Sequence, residues 1–302
     1  MGTAWDWTGL RVVTGRSPLG NLATQGSRRY PLGSMSTPLH NQHIQKSIII
    51  CSTGRSGSTL LCRSLEELNT CGKPEEYFHH NVIKALDLKS SSEKFLAHCN
   101  QVFAEGTTEN GIFGIKMHWW QMFEFLKLAR QLPEFAAATP LEILEACFPN
   151  PKFIYIWRRN RTAQAVSTII ALQTGQWEER ADQRHSYSVN PEAKRSPATL
   201  QFQPIKIYTW EEKFKDQNAR WRSFLTENAI AFREVITEEL TSNFQSSMQA
   251  TLAFIEASAE PEHIKMPTKK QSNDINRQFI ARYEKYPKAL LRLGLKLKTW
   301  RK

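Results

Sequence analysis

Two stretches of this sequence carry residue types arranged for holding anions. The first is Cys51-Ser-Thr-Gly-Arg-Ser-Gly-Ser-Thr-Leu60. It follows a short apolar, β-branched run, Ser47–Ser52 (SIIICS). It leads into Thr59–Leu68, where Leu60, Leu61, Leu65 and Leu68 recur at the spacing of one helix face. A strand-to-helix loop presents successive backbone N–H groups to an anion, and the helix start adds about half a positive charge. Gly54 and Gly57 permit tight curvature, while Ser56, Ser58 and Thr59 add hydroxyl donors. The nucleoside triphosphatase loop GxxxxGK[ST] has Lys after its last Gly. Here that position is Ser58, and the cation is Arg55, inside the loop. This exchange suits a ligand with no β,γ-phosphate pair and no Mg²⁺ to manage. A guanidinium can fork across two anionic oxygens and stabilise charge developing on a leaving phosphate. The plainer alternative is a Ser/Gly turn with a surface Arg.

The second stretch, Trp157-Arg-Arg-Asn-Arg-Thr-Ala-Gln-Ala-Val-Ser167, follows another apolar run, Lys152–Trp157 (KFIYIW). An Arg at a strand end and a Ser about two helical turns later can grip one phosphate from two sides. Arg158 and Arg159 both fit with Ser167; a basic helix start with a buried Ser is the alternative. A proton acceptor is available in Gly72-Lys-Pro-Glu-Glu-Tyr-Phe78, where Pro74 stiffens the turn that presents Glu75 and Glu76. His118, in Gly114-Ile-Lys-Met-His118, is the rival, with Lys116 two residues before it. Gln173 and Trp177 pair an amide with an aromatic face, which suits a polyhydroxy ring; core packing explains Trp177 equally well.

The loop TGRSGSTLL resembles the 5'-phosphosulfate loop of sulfotransferases. With CGKPEEYF after it, the chain is similar over residues 47–286 to the bacterial carbohydrate sulfotransferase family, which includes trehalose 2-sulfotransferase and lipopolysaccharide-type enzymes. The resemblance implies a P-loop sulfotransferase fold and 3'-phosphoadenylyl sulfate (PAPS) as co-substrate, without metal. It implies direct in-line transfer of the sulfuryl group to a hydroxyl of a carbohydrate or glycolipid. Arg55, Ser56, Gly57, Ser58 and Thr59 would hold the 5'-phosphosulfate. Ser167 with Arg158 or Arg159 would hold the 3'-phosphate, the position of Arg158 being closer to the bacterial pattern. The family pattern G-x-P-x-E-[FY]-F makes Glu76 the general base, with Glu75 on the variable position, Tyr77 and Phe78 packed beneath, and Lys73 facing the acceptor. Cytosolic sulfotransferases use K-x-H, with His as base and Lys on the donor, so Lys116 and His118 keep that second assignment open. Lys269-Lys-Gln-Ser-Asn273 falls where the family can close over the donor. A P-loop small-molecule kinase and a non-catalytic nucleotide- or glycan-binding protein remain as alternatives.

The elements that must position these residues alternate. Strands are expected at 47–52, 111–116, 152–157 and 231–236, and helices at 59–68, 119–132, 141–147, 161–172 (closed near Gly175), 205–227 and 244–257. Alternation of this kind implies an α/β fold, a three-layer doubly wound parallel sheet. Residues 1–46, rich in Gly, Ser, Thr, Pro and Arg and without periodicity, read as a disordered N-terminal extension in which Met35 is an alternative start. Residues 47–302 read as one sulfotransferase domain with a basic C-terminal tail. The chain has 302 residues, 40% apolar and 23% charged, and no apolar run of the roughly 18–20 residues that a membrane helix needs. Five cysteines without CxxC spacing argue for reduced thiols in a cytoplasm. The net charge of +11 sits mostly at the two ends, so the body offers no nucleic-acid surface. RLGLKLKTWRK reads as a solvated tail or as an amphipathic face for anionic lipid, and both monomer and homodimer stay open.

Overall fold

Parallel strands cannot be joined by a hairpin, so each must be reached through a crossover, and helices fill the crossovers of this chain. The computed structural model describes residues 39–177, 200–257, 264, 266 and 274–300, the side chains of 295–300 excepted. All belong to the second of two compact units, Ser36–Lys302. The chain runs through β1 (Lys46–Ser52), α1 (Ser58–Glu66), α2 (His80–Ala85), α3 (Ser92–Gly106), β2 (Ile112–His118), α4 (Trp119–Ala129), α5 (Pro140–Cys147) and β3 (Pro151–Trp157). It continues through α6 (Arg161–Thr174), α7 (Pro204–Glu227), β4 (Phe232–Ile236), α8 (Thr237–Ser242), α9 (Phe244–Phe254), α10 (Asp274–Glu284) and α11 (Lys288–Trp300).

The four strands lie in the order β2-β1-β3-β4, and every neighbouring pair is parallel. Strand side chains alternate between faces. Ile49 and Cys51 of β1 join a core built with Phe95 and Phe103 of α3, Phe125 of α4, Leu144 of α5 and Trp221 of α7. Ile48 and Ile50 join another, with Leu61 and Leu65 of α1 and Met248 and Leu252 of α9. Helices therefore cover both faces, and the fold is the expected three-layer α/β sheet. A third cluster, with Ile169, Ile207, Phe214, Tyr283 and Leu291, ties α6 and α7 to α10 and α11. From β1 the chain moves to β2 on one side, then to β3 on the other. The strand order thus reverses between β1 and β3, and a crevice opens there at the carboxyl ends of the strands.

Some expectations need correction. Order begins before Ser47: Leu39 and Ile44 are buried, and the Asn41 amide donates to the carbonyls of Ala146 (2.9 Å) and Cys147 (3.1 Å). The extension expected over 1–46 therefore ends earlier; residues 1–38, with Met35, lie outside the described residues. β2 runs on to His118, past the expected end at Lys116. The C-terminal run starts as helix α11, pinned by buried Leu291 and by Lys288 Nζ on Glu211 Oε2 at 2.7 Å. The loop Lys269–Asn273 lies outside the described residues. No helix among the described residues is long and apolar enough to cross a membrane, and all five cysteine thiols are buried.

Candidate active site

The loop after β1 curls through two left-handed residues, Arg55 (φ 59°) and Gly57 (φ 79°). Gly57 is required twice over. Its conformation favours glycine, and a Cβ there would stand 2.7 Å from Thr237 Cγ2. Thr237 Oγ1 bonds the Ser56 carbonyl and, at 3.0 Å, the Trp157 carbonyl, so one hydroxyl pins the loop to the end of β3. α1 starts at Ser58 with no side-chain cap, which leaves its first-turn N–H groups to the loop mouth. Ser56 Oγ is buried without a hydrogen-bond partner. A hydroxyl orphaned inside such a loop fits an anionic ligand, whose oxygen would satisfy it. Gln164 braces the loop from α6, donating to Thr53 Oγ1 (2.9 Å) and the Gly54 carbonyl (2.6 Å).

Arg55 joins the two expected phosphate turns. Its Nε donates to Ser167 Oγ at 3.0 Å, and its Nη1 donates to the carbonyl of Trp177, just past the end of α6. Ser167 lies buried on α6, so the residues expected to read opposite ends of one nucleotide meet in the crevice between β1 and β3. Arg158 and Arg159 each face an acid of α8. Arg158 Nε is 3.9 Å from Glu238 Oε1, and Arg159 pairs with Glu239. Glu238 also accepts from the backbone N–H groups of Arg159 and Asn160, both at 3.1 Å. Arg158 is the more buried of the two and the more loosely paired.

The acid segment lies against β2. Glu75 forms a parallel bridge with Ile115, and its carbonyl accepts from Lys116 N at 3.0 Å. Two facing glycines allow this approach. A Cβ on Gly72 would collide with the backbone of Gly114, and one on Gly114 would stand 2.9 Å from Pro74 N. Tyr77 is buried, with its hydroxyl donating to the Lys73 carbonyl at 2.6 Å, and Phe78 packs edge-on to Phe125 at 4.8 Å. Both lie beneath the turn, as expected; the Lys73 side chain is exposed.

Glu76 meets both rivals for its role. Its Oε1 is 2.9 Å from Lys116 Nζ and 3.5 Å from His118 Nε2. Residues 116 and 118 of one strand point to the same side, and extension of β2 to His118 brings both to the acid. His118 Nδ1 shares a 2.9 Å hydrogen bond with Ser52 Oγ at the end of β1. Burial pushes the Glu76 carboxyl up, but Lys116 and then His118 outweigh it and hold the carboxyl well below the usual carboxylate range. At neutral pH the effect belongs to Lys116, because burial holds the His118 imidazole below its usual pKa and leaves it uncharged. The pocket thus combines an ionised carboxylate, a buried ammonium and a neutral imidazole.

The two expected sugar contacts, Gln173 and Trp177, lie in the last turn of α6 and just beyond it. The Gln173 amide bonds the backbone of Gln201 at both ends, at 2.9 and 2.8 Å. Trp177 is half-buried, and its carbonyl serves Arg55. Sequence reasoning missed Thr237, Gln164, Gln121, Ser52 and Glu238. Ser52 and Gln164 stand within the two anion-holding stretches, where no local signal gives them a role, and Thr237 and Glu238 come from a stretch with no motif of its own. Gln121 alone had a local signal, as the third residue of the helix that follows β2. Among the described residues, no cluster of three or more His, Cys, Asp or Glu side chains is arranged to hold a metal ion.

Residues 47–286 match a family model described as Stf0 sulphotransferase. The chain is 24% identical over 261 residues to the trehalose 2-sulfotransferase of Mycobacterium tuberculosis (strain ATCC 35801 / TMC 107 / Erdman), covering 78% of this chain and 93% of that one. It is 28% identical over 159 residues to the trehalose 2-sulfotransferase of Mycolicibacterium smegmatis, covering 44% of this chain and 60% of the relative. The sulfotransferase domain from the curacin biosynthetic pathway superposes with a TM-score of 0.44 at 15% identity, over 81% of this chain and 93% of that domain. That superposition is too loose to add to the fold read from the sheet itself.

Proposed function

The chain belongs to the Stf0 sulphotransferase family, and from that premise we propose that it transfers a sulfuryl group from PAPS to a hydroxyl of a carbohydrate or glycolipid. The loop amides with Arg55, Ser56, Gly57, Ser58 and Thr59 hold the 5'-phosphosulfate. Ser167 holds the 3'-phosphate together with Arg158, which is favoured over Arg159 because it is more buried and less tightly paired. Lys116 serves a sulfuryl oxygen. Glu76 takes the proton of the acceptor hydroxyl, while His118 lines the acceptor pocket beside Lys73 and Glu75, with Tyr77 packed beneath them. The acceptor oxygen bonds to sulfur as the bond from sulfur to the bridging phosphate oxygen breaks. Adenosine 3',5'-bisphosphate leaves, and its new charge falls on Arg55 and the loop N–H groups. The acceptor class follows the relatives, both trehalose 2-sulfotransferases by name.

The observation that carries this reading is the Glu76–Lys116 pair at 2.9 Å, at the end of the strand next to the phosphate loop. It offers a proton acceptor and a cation for the reacting group together. A carboxylate held so strongly in its charged form is a weak base, and a donor oxygen that draws on Lys116 restores its basicity. The test is transfer of radiolabelled sulfate from PAPS to a panel of trehalose, other disaccharides and glycolipids, with mass spectrometry of the product. Calorimetry with adenosine 3',5'-bisphosphate and with ATP-Mg²⁺ accompanies it. Glu76→Gln is expected to lower kcat at least about 100-fold, and His118→Ala to act mainly on the acceptor KM. Full turnover by Glu76→Gln with none by His118→Ala would reverse the assignment, and preference for ATP-Mg²⁺ would replace the reading with a kinase.

A further inference from the structure

The two oxygens of Glu76 have different neighbours. Oε1 faces Lys116 and His118, whereas Oε2 accepts a 2.6 Å bond from Gln121 Nε2. Gln121 is only 1% exposed and stands in the first turn of α4. Its own Oε1 accepts from the backbone N–H of His118 at 2.7 Å. The two bonds fix the amide's orientation. The His118 N–H demands an acceptor, so the atom turned to Glu76 must be the NH₂ group, which only donates.

Helix capping does not account for this residue. The position is the third of α4, where a capping box takes Glu or Gln equally, because the cap uses one side-chain oxygen. A Glu here would serve the helix as well, but its second oxygen would face the Glu76 carboxylate. The amide is demanded by Glu76 and not by the helix. The pair also crosses elements: Glu76 rides on the edge of β2, Gln121 begins α4, and His118 lies at their junction.

We propose that Gln121 is a positioning residue for the base: by holding Oε2 it fixes the plane of the Glu76 carboxylate and leaves Oε1, on the Lys116 and His118 side, as the atom that takes the acceptor's proton. The inference rests on the reading of Glu76 as the base. Gln121 itself touches neither donor nor acceptor. Its loss lets the carboxylate turn, so it acts on kcat and leaves the donor KM nearly unmoved.

Gln121→Glu is near-isosteric and keeps the acceptor for the His118 N–H, but in place of the neutral donor to Oε2 it sets a second carboxyl, which either repels Glu76 or takes up a proton that the pair then shares. The charged and titratable groups facing Glu76, namely Lys116 and His118 of β2, His79 after the turn and His80 at the start of α2, stay in place. The expected result is a kcat about 10- to 100-fold lower, a donor KM within about threefold, and an acid limb of the kcat–pH profile about one unit higher. Gln121→Met lowers kcat with a smaller shift of the limb, since it adds no charge. In a cycle with Glu76→Gln, the double variant Glu76→Gln/Gln121→Met is no slower than Glu76→Gln alone. If Gln121→Glu and Gln121→Met both keep wild-type kcat and limb while Glu76→Gln is slow, the inference is overturned and the base assignment stands. If Gln121→Met slows the Glu76→Gln enzyme as much as the wild type, Gln121 does not act through Glu76 and the inference is again overturned. If Glu76→Gln is fully active, both go down together. If both Gln121 variants lose adenosine 3',5'-bisphosphate binding by calorimetry, the role is structural and the proposal is wrong.

Discussion

Gly57 and Thr237, remote in the chain, compete for one small volume at the phosphate loop. Gly57→Ala meets two separate penalties: a left-handed φ of 79° and a Cβ 2.7 Å from Thr237 Cγ2. Together they are expected to cost about 2–4 kcal/mol of stability, read by urea denaturation, and to weaken adenosine 3',5'-bisphosphate binding in calorimetry. Thr237→Ser removes the methyl and keeps the hydroxyl that pins the loop, so Gly57→Ala/Thr237→Ser should recover the steric part and leave the conformational part. No recovery in the pair would mean that the clash is not the cause. The need for glycine at position 57 could be read from the chain, because strand, loop and helix signals surround it locally. Thr237 could not, since its link to the loop exists only once β4 lies beside β3. The Glu76–Lys116 contact was half readable: each residue stood in a recognisable motif, but only the bridge between Glu75 and Ile115 joins the motifs.

The short run from Gly72 to Glu76 behaves as a strap on the outer edge of β2, and its grip depends on the absence of side chains at two crossing points. Gly114→Ala would set a Cβ 2.9 Å from Pro74 N and 3.0 Å from Lys73 N, backbone that cannot swing aside. It is expected to lower stability by about 1–3 kcal/mol and to lower kcat as well, because lifting the strap carries Glu76 away from Lys116. Unchanged kcat in a destabilised Gly114→Ala would show that the acid is held by Lys116 and Gln121 and not by the strap. Strands were the more readable elements, their apolar β-branched runs being bounded by turn residues. β2 was read only as far as Lys116; Met117 and His118 continue it, buried where the His118 ring meets Glu76 and Ser52. α3 was overlooked although Phe95, Cys99, Val102 and Phe103 follow the helical period, since the stretch carries no motif; its Ser91 cap, accepting from Lys94 N at 3.3 Å, was also there to be read.

The order β2-β1-β3-β4 decides where the site lies, and nothing in the alternation of strands and helices specifies that order. Right-handed crossovers restrict the choices, and burial selects among them: β1 is apolar on both faces and takes a central place, while half-exposed β4 takes an edge. Local patterns therefore identified the strands but not the crevice between β1 and β3. The same packing places four histidines, His79, His80, His98 and His118, where burial lowers their pKa, His79 being pushed down to about 4. In the unfolded chain each takes a proton near pH 6.5, whereas in the fold each resists it. Their contribution is thus complete above about pH 6.5 and is lost as the pH falls from there towards 4, because the unfolded state then binds more protons. Glu76, with its pKa depressed, adds a loss of the same sign only below about pH 4.3. The urea midpoint is expected to fall between pH 7.5 and pH 5, earlier than ionised carboxylates alone would make it fall. His98 offers a probe away from the reacting groups. It bonds the Tyr77 carbonyl at 2.9 Å and packs edge-on to Phe78 at 5.3 Å. His98→Gln keeps a donor for that carbonyl and cannot titrate, so it should flatten the decline between pH 6.5 and 5 even if it lowers stability at pH 7.5. Equal midpoints at pH 7.5 and 5 in the wild type, or an unaltered slope in His98→Gln, would remove buried histidines as the source of acid sensitivity.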